Sequence, residues 1–176
     1  MKTVIHLTIL AIALQASAAS AQALWGGAAY GMDLAQVQAK VPQARVPESP
    51  DELAGGESEG LRVEGVEVAG HRFQASYFFA GGALVQVDLV QRAARAGRAD
   101  LQVFQDVAAA LEAQHGAPAG STQQDEPFER RRVHWQVADT QVALLLFQLG
   151  DASLVKVVYQ VQPPDAPPPV RLRSDG

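Results

Sequence analysis

Three histidines lie beyond the first 21 residues: His71, His115 and His134. A zinc centre needs three or four such donors converging at bond lengths of about 2 Å. None of the three has a partner at helical i, i+4 spacing, so no metal and no other cofactor is expected. The chain has no cysteine, which removes thiol nucleophiles, thiolate ligands and disulfides together. Gly120-Ser121-Thr122 offers hydroxyls in a polar stretch without a base close in sequence, and the zinc-protease pattern H-E-x-x-H does not occur. No glycine run leads into Lys-Ser or Lys-Thr, so no phosphate cradle is expected. Asp88 stands out because it interrupts the apolar positions Val85, Val87 and Leu89. A carboxylate pair of the glycosidase type would join it to Glu64 or Glu67. The plainer expectation pairs it with Arg72 or Gln74 across a hairpin. No catalytic residue is assigned.

The elements that must position these side chains are organised around residues 70–90. Phe73, Ala75, Tyr77 and Phe79 alternate with Arg72, Gln74 and Ser76. After the turn signal Ala80-Gly81-Gly82, alternation resumes with Gln86 and Asp88 between apolar neighbours. Period-2 patterning on both sides of a glycine turn predicts a β-hairpin with one buried and one polar face. Some seventy residues later the pattern recurs in 141–149, Gly150-Asp151 and 153–161, with Leu84-Val85-Gln86-Val87 aligning with Leu154-Val155-Lys156-Val157. Each hairpin is preceded by a further strand, Leu61–Val68 and Arg131–Val137, the first upset by Gly65. Each triplet is preceded by a helix. In the first, Asp33 caps an apolar stripe of Leu34, Val37 and Val41 that Pro42 ends. In the second, Asp100 caps Leu101, Phe104, Val107, Ala108 and Leu111, closing at His115-Gly116. Residues 47–60, rich in Glu, Pro and Gly, read as a mobile acidic loop, and 120–129 as another polar loop.

The expected fold is therefore α+β: antiparallel sheet with helices on one face, as a tandem duplication of an α-β-β-β unit. The halves are residues 22–92 and 93–162, whether in one sheet or two being open. A disordered Pro-rich tail, 163–176, follows.

Residues 1–21 read as a secretory leader, with Lys2 before the apolar run Val4–Leu14 and A-x-A-like triplets ending at Ala21 and Ala23. The run is too short for a bilayer crossing of about 20 residues. Cleavage after Ala21 or Ala23 would deliver a periplasmic or secreted protein without a stable membrane anchor. Without Lys2, 13 Lys and Arg stand against 19 Asp and Glu, a net charge of −6. That balance argues against nucleic acid as a partner. With no crosslinks, stability must come from the core, which a 48 % hydrophobic composition can supply.

What remains for function is the polar face of the sheet. Arg72, Gln74, Asp88, Arg132, His134, Gln136 and Lys156 are expected on it and form the candidate binding surface, with basic runs to steer an acidic partner. The reading is an exported, non-enzymatic module that binds another envelope or extracellular protein. The alternatives are a cell-wall or glycan hydrolase, or a small-ligand carrier with Trp135, Phe147, Tyr77 and Phe79 lining a cavity.

Trp25-Gly26-Gly27, Tyr30-Gly31-Met32-Asp33-Leu34 and Val37 through Val41-Pro42 resemble the opening of small exported modules. These are the SmpA/OmlA-type outer-membrane assembly lipoproteins and the duplicated β-lactamase-inhibitor-protein-like folds. His115-Gly116-Ala117-Pro118 is similar to the same pattern. The resemblance implies an α+β fold and a habit of binding proteins. This chain departs from both groups in lacking the cysteine that anchors the lipoproteins and the disulfides of the inhibitors.

Overall fold

A computed structural model describes residues 22–93, 98–125, 129–149 and 152–161. The expected leader and Pro-rich tail lie outside the described residues. The described residues form seven antiparallel strands in one sheet, with two helices packed on one face.

Helix α1, Leu34–Lys40, starts with a capping box: Gln36 N donates to Asp33 Oδ1 at 2.8 Å and Asp33 N donates to Gln36 Oε1 at 2.9 Å. Val37 and Val41 are buried, whereas Leu34 is 38 % exposed, so the expected stripe is narrower than three residues. Strands β1 (Ser58–Val68), β2 (His71–Ala80) and β3 (Ala83–Ala93) follow as a meander. Gly81 and Gly82 take φ of 57° and 83°, the left-handed pair that a two-residue hairpin turn demands. A bulge spans Gly65 as its sequence position suggested, and a second lies between Glu59 and Leu61.

Helix α2, Arg98–His115, begins two residues before Asp100, which therefore lies in the first turn and is not the cap. Gly116, at φ 82°, ends it as expected. Next comes β4, Gly120–Gln124, where a loop was expected. Strands β5 (Arg130–Val137), β6 (Thr140–Leu149) and β7 (Ala152–Val161) are the last elements of the described residues. The order across the sheet is β1-β2-β3-β7-β6-β5-β4, so the last strands of the two meanders, β3 and β7, pair at its centre.

On the helix side, Phe73, Tyr77, Leu84, Val87, Leu89, Trp135, Leu144, Leu146, Val155 and Val157 pack with Val37, Val41, Val107 and Leu111. Each such side chain contributes roughly 1.5–3 kcal/mol by leaving water. Trp135 Nε1 donates to Gly116 O at 3.0 Å, fastening the end of α2 to β5. Leu84, not Val85, points into this core. The register shift beside Phe78 and Phe79 moves β3 by one residue, so Leu84 and Leu154 face opposite sides while Val87 and Val157 share one.

Candidate functional site

The helix-free face carries all seven residues expected on it, but it does not gather them into one patch. Successive rows across the strands follow from the pairing register. One holds Arg62, Ser76, Asp88, Val158, Ala143, His134 and Gly120. The next includes Gln74, Val90, Lys156, Leu145 and Arg132. Arg72 and Arg132 thus lie on strands four places apart, about 19 Å at ordinary strand spacing.

The half of this face over β1, β2, β3 and β7 is closed by charge. Asp88 is not displayed; it is 1 % exposed. Its partner is neither Arg72 nor Gln74 but Lys156, whose Nζ lies 2.5 Å from Oδ2, while Gln86 Nε2 donates to Oδ1 at 2.8 Å. Burial pushes the Asp88 carboxyl above the usual carboxylate range, against the pull of Lys156 and Gln86, and the charge of Glu59 adds to the push. Glu59, 3 % exposed, takes hydrogen bonds from Arg62, Ser76 and the backbone N–H of Asp51. Burial pushes it up as well, but those bonds outweigh burial and hold it below the usual range.

The acidic stretch expected to be a mobile loop supplies part of this order. Arg45 bridges to Arg62 and Glu52 to Ser58, and Arg62 Nη2 donates to Ser49 O at 3.2 Å. Asp51 Oδ2 stands 4.0 Å from Arg62 and 3.9 Å from Arg92. Asp51, Glu52 and Leu53 roof a cleft of about 230 Å³ floored by Ser76, Phe78, Asp88 and Lys156. Three acids (Asp51, Glu59, Asp88) face three bases (Arg62, Arg92, Lys156), a balanced set.

The carboxylate near Asp88 is thus Glu59; Glu64 and Glu67 are exposed on β1. Sequence reasoning missed Glu59 because its arginine partner lies across a bulge at Gly60, which turns an i, i+3 spacing onto one face of a strand.

Two serine patterns associated with hydrolases also occur and were not recognised from the sequence. Gly56-Glu57-Ser58-Glu59-Gly60 spells G-x-S-x-G, whose chemistry needs a strained turn from strand into helix. Here it runs from a loop into the edge strand β1, with Ser58 opposite Phe79. Ser153-Leu154-Val155-Lys156 spells S-x-x-K, which brings the two groups together on a helix. On β7 the odd spacing sends Ser153 and Lys156 to opposite faces, and Ser153 Oγ is buried without a partner. Neither pattern assembles a nucleophile and a base. Among the described residues, no group of three or more His, Asp or Glu is arranged to hold a metal ion.

The half over β6, β5 and β4 is open. Arg130 and Gln136 are exposed, and Arg132, His134, Leu145 and Phe147 are half-buried. Arg130 stacks on the Phe147 ring at 5.1 Å. Arg132 reaches Gln141 Oε1 only at 3.4 Å, and its Nε is buried without a partner. His134 lies over Gly120, where a side-chain Cβ would come within 2.6 Å of its ring. Burial, then the Arg132 charge, hold His134 below its ordinary pKa. Among the described residues, no carboxylate projects from β4, β5 or β6 on this face.

The four aromatics expected to line a cavity are divided between the faces: Tyr77 and Trp135 are core, Phe79 packs against that core, and Phe147 is on the open half. A cleft of about 400 Å³ on the helix side is lined instead by Leu24, Trp25, Leu111, Val142 and Tyr159, among others, and burial there pushes the Tyr159 phenol up to about 12.

No protein-family model, curated protein or solved structure matches the chain.

Proposed function

We propose that the chain is an exported protein of the cell envelope or extracellular space that acts by binding another protein, without chemistry of its own. The contact surface is the open half of the helix-free face, over β4, β5 and β6. The observation that carries this reading is the pair Arg130 and Arg132, without an acidic partner among the described residues, beside the polar ring of His134 and the apolar Leu145 and Phe147. On the other half Arg62, Arg92 and Lys156 are each set against Asp51, Glu59 or Asp88. A basic strip flanked by apolar and aromatic side chains suits an acidic partner, with the rim charges steering encounter and the aromatic giving contact area.

The leader pattern in residues 1–21 supports export, and the two three-stranded meanders meeting at β3 and β7 support descent from a duplicated α-β-β-β unit, from which the second half departs by the added edge strand β4. Of the surface first expected, Arg132, His134 and Gln136 belong to the contact, and Arg72, Gln74, Asp88 and Lys156 fall outside it.

The test is affinity capture from envelope extract with wild type, Arg130→Glu/Arg132→Glu and Arg72→Glu. A partner retained by wild type and Arg72→Glu, lost with the double variant and weakened by salt, is the expected result. Capture indifferent to the double variant, or absent throughout, defeats the reading.

A further inference from the structure

The A-x-A-like triplets leave two scissile bonds in competition, Ala21–Gln22 and Ala23–Leu24. The folded protein distinguishes them, because Gln22 and Ala23 are already part of it. Gln22 O accepts from Tyr30 N at 2.9 Å, and Gln22 Nε2 donates to Asp139 Oδ2 at 2.7 Å, across 117 residues of sequence. Ala23 forms a bridge with Ala29, and its carbonyl accepts from Thr140 Oγ1 at 3.4 Å. The contacts to Asp139 and Thr140 tie Gln22 and Ala23 to the β5–β6 turn, and those to Ala29 and Tyr30 tie them to the segment before α1. Cleavage after Ala23 would delete all of them.

It would also turn the Leu24 amide, which donates to Ala28 O at 2.9 Å, into an ammonium. Leu24 is 7 % exposed and sits in the apolar core, where an added charge is costly. Cleavage after Ala21 places the new ammonium on Gln22, which is half-buried and ringed by polar partners.

We propose that maturation cuts between Ala21 and Gln22, so that Gln22 and Ala23 remain as the first structural residues of the mature protein. This rests on the export reading above. The test is to express the full chain with its own leader in an exporting host and sequence the N-terminal peptide by mass spectrometry. A peptide starting at Gln22, free or cyclised with loss of ammonia from its carboxamide, is expected. A start at Leu24 overturns the proposal while leaving export intact. Retention of Met1 in cytosolic protein overturns export, and the proposal with it. A second arm compares thermal midpoints of chains released from a cleavable fusion to begin at Gln22 or at Leu24. The Leu24 form is expected to melt lower by about 4 °C or more; equal midpoints overturn the structural reason for the choice.

Discussion

Lys156 and Asp88 meet at 2.5 Å on a diagonal between neighbouring strands, since Asp88 stands opposite Val158 and Lys156 opposite Val90. The pair is lopsided. The ammonium side chain keeps 22 % of its exposure and the carboxylate 2 %. Lysine carries its charge towards water on a flexible stem, whereas the short aspartate cannot leave. Losing the lysine therefore strands a buried carboxylate, and losing the aspartate strands very little.

Lys156→Met is expected to cost about 3 kcal/mol at neutral pH, the scale for breaking one side of a buried pair. The Asp88 carboxyl is already raised in the folded state, and removing Lys156 raises it further. A raised carboxyl contributes stability that is complete below its unfolded pKa and lost as pH rises through the folded value. The deficit should consequently shrink at mildly acid pH, above the ordinary carboxylate range. Urea midpoints of variant and wild type, taken at about pH 5 and about pH 8, read this directly. An equal deficit at both would mean that Asp88 is not held by Lys156.

Glu59→Gln should behave differently with pH. Its carboxylate is held below the usual range by Arg62, Ser76 and the Asp51 backbone in spite of burial. A depressed carboxyl contributes stability present above its unfolded pKa and lost as pH falls through the folded value. The variant is expected to lose about 2 kcal/mol, the scale for hydrogen bonds to a charged group. That deficit should persist at mildly acid pH, where the Lys156→Met deficit has already narrowed, and close only at lower pH. The same urea series checks it, and a deficit that closes in step with that of Lys156→Met would refute the assignment.

These two acids mark where sequence reading reached its limit. Alternation placed Val37, Tyr77, Trp135 and Val157 in the core because a two-layer α+β body leaves period-2 and helical stripes one place to go. It placed Asp88 on the helix-free face correctly. It could not show that Asp51–Leu53 fold back over that face, because the arginines that neutralise the loop, Arg62 and Arg92, sit on β1 and β3. β4 was illegible for a related reason. An edge strand exposed on both sides, Gly120-Ser121-Thr122-Gln123-Gln124, has no apolar alternation to betray it. Alternation in phase with Val87 and Leu89 points Val85 inward, whereas the core takes Leu84, because a bulge shifts phase without altering composition.

Tyr77→Phe is expected to raise stability by about 1 kcal/mol. The Tyr77 hydroxyl is buried among the core residues with no hydrogen-bond partner, and burial alone pushes its phenol up. An unsatisfied buried hydroxyl forfeits its bonds to water, so deleting it removes a penalty and opens only a small void. Gly26 approaches the same atom: a Cβ there would lie 3.2 Å from Tyr77 Oη, at a φ of 65°. Gly26→Ala should therefore destabilise. Thermal unfolding of both variants decides the matter, and a fall in midpoint for Tyr77→Phe would reveal a partner for the hydroxyl.

Gly120→Ala tests the contact that keeps His134 half-buried. The added methyl cannot occupy space 2.6 Å from the imidazole, so the ring must swing off β4 towards water. Both causes that now hold His134 below its ordinary value, burial first and Arg132 second, weaken when the ring leaves, and they outweigh the hydrogen bond at the Gly120 backbone, which pulls the other way and is lost with them. Its pKa should rise towards about 6.5, the unperturbed value. Because the ring yields more easily than the backbone, the stability change should stay within about 1 kcal/mol. Arg132→Gln should move the same titration upward by a smaller step, since it removes only the second cause. The His134 ring proton, followed by NMR from acid to neutral pH in the three proteins, reports all of this at one atom. An unmoved titration in Gly120→Ala would show that the ring does not rest on the edge strand, and the open half of the face would lose one of its side chains.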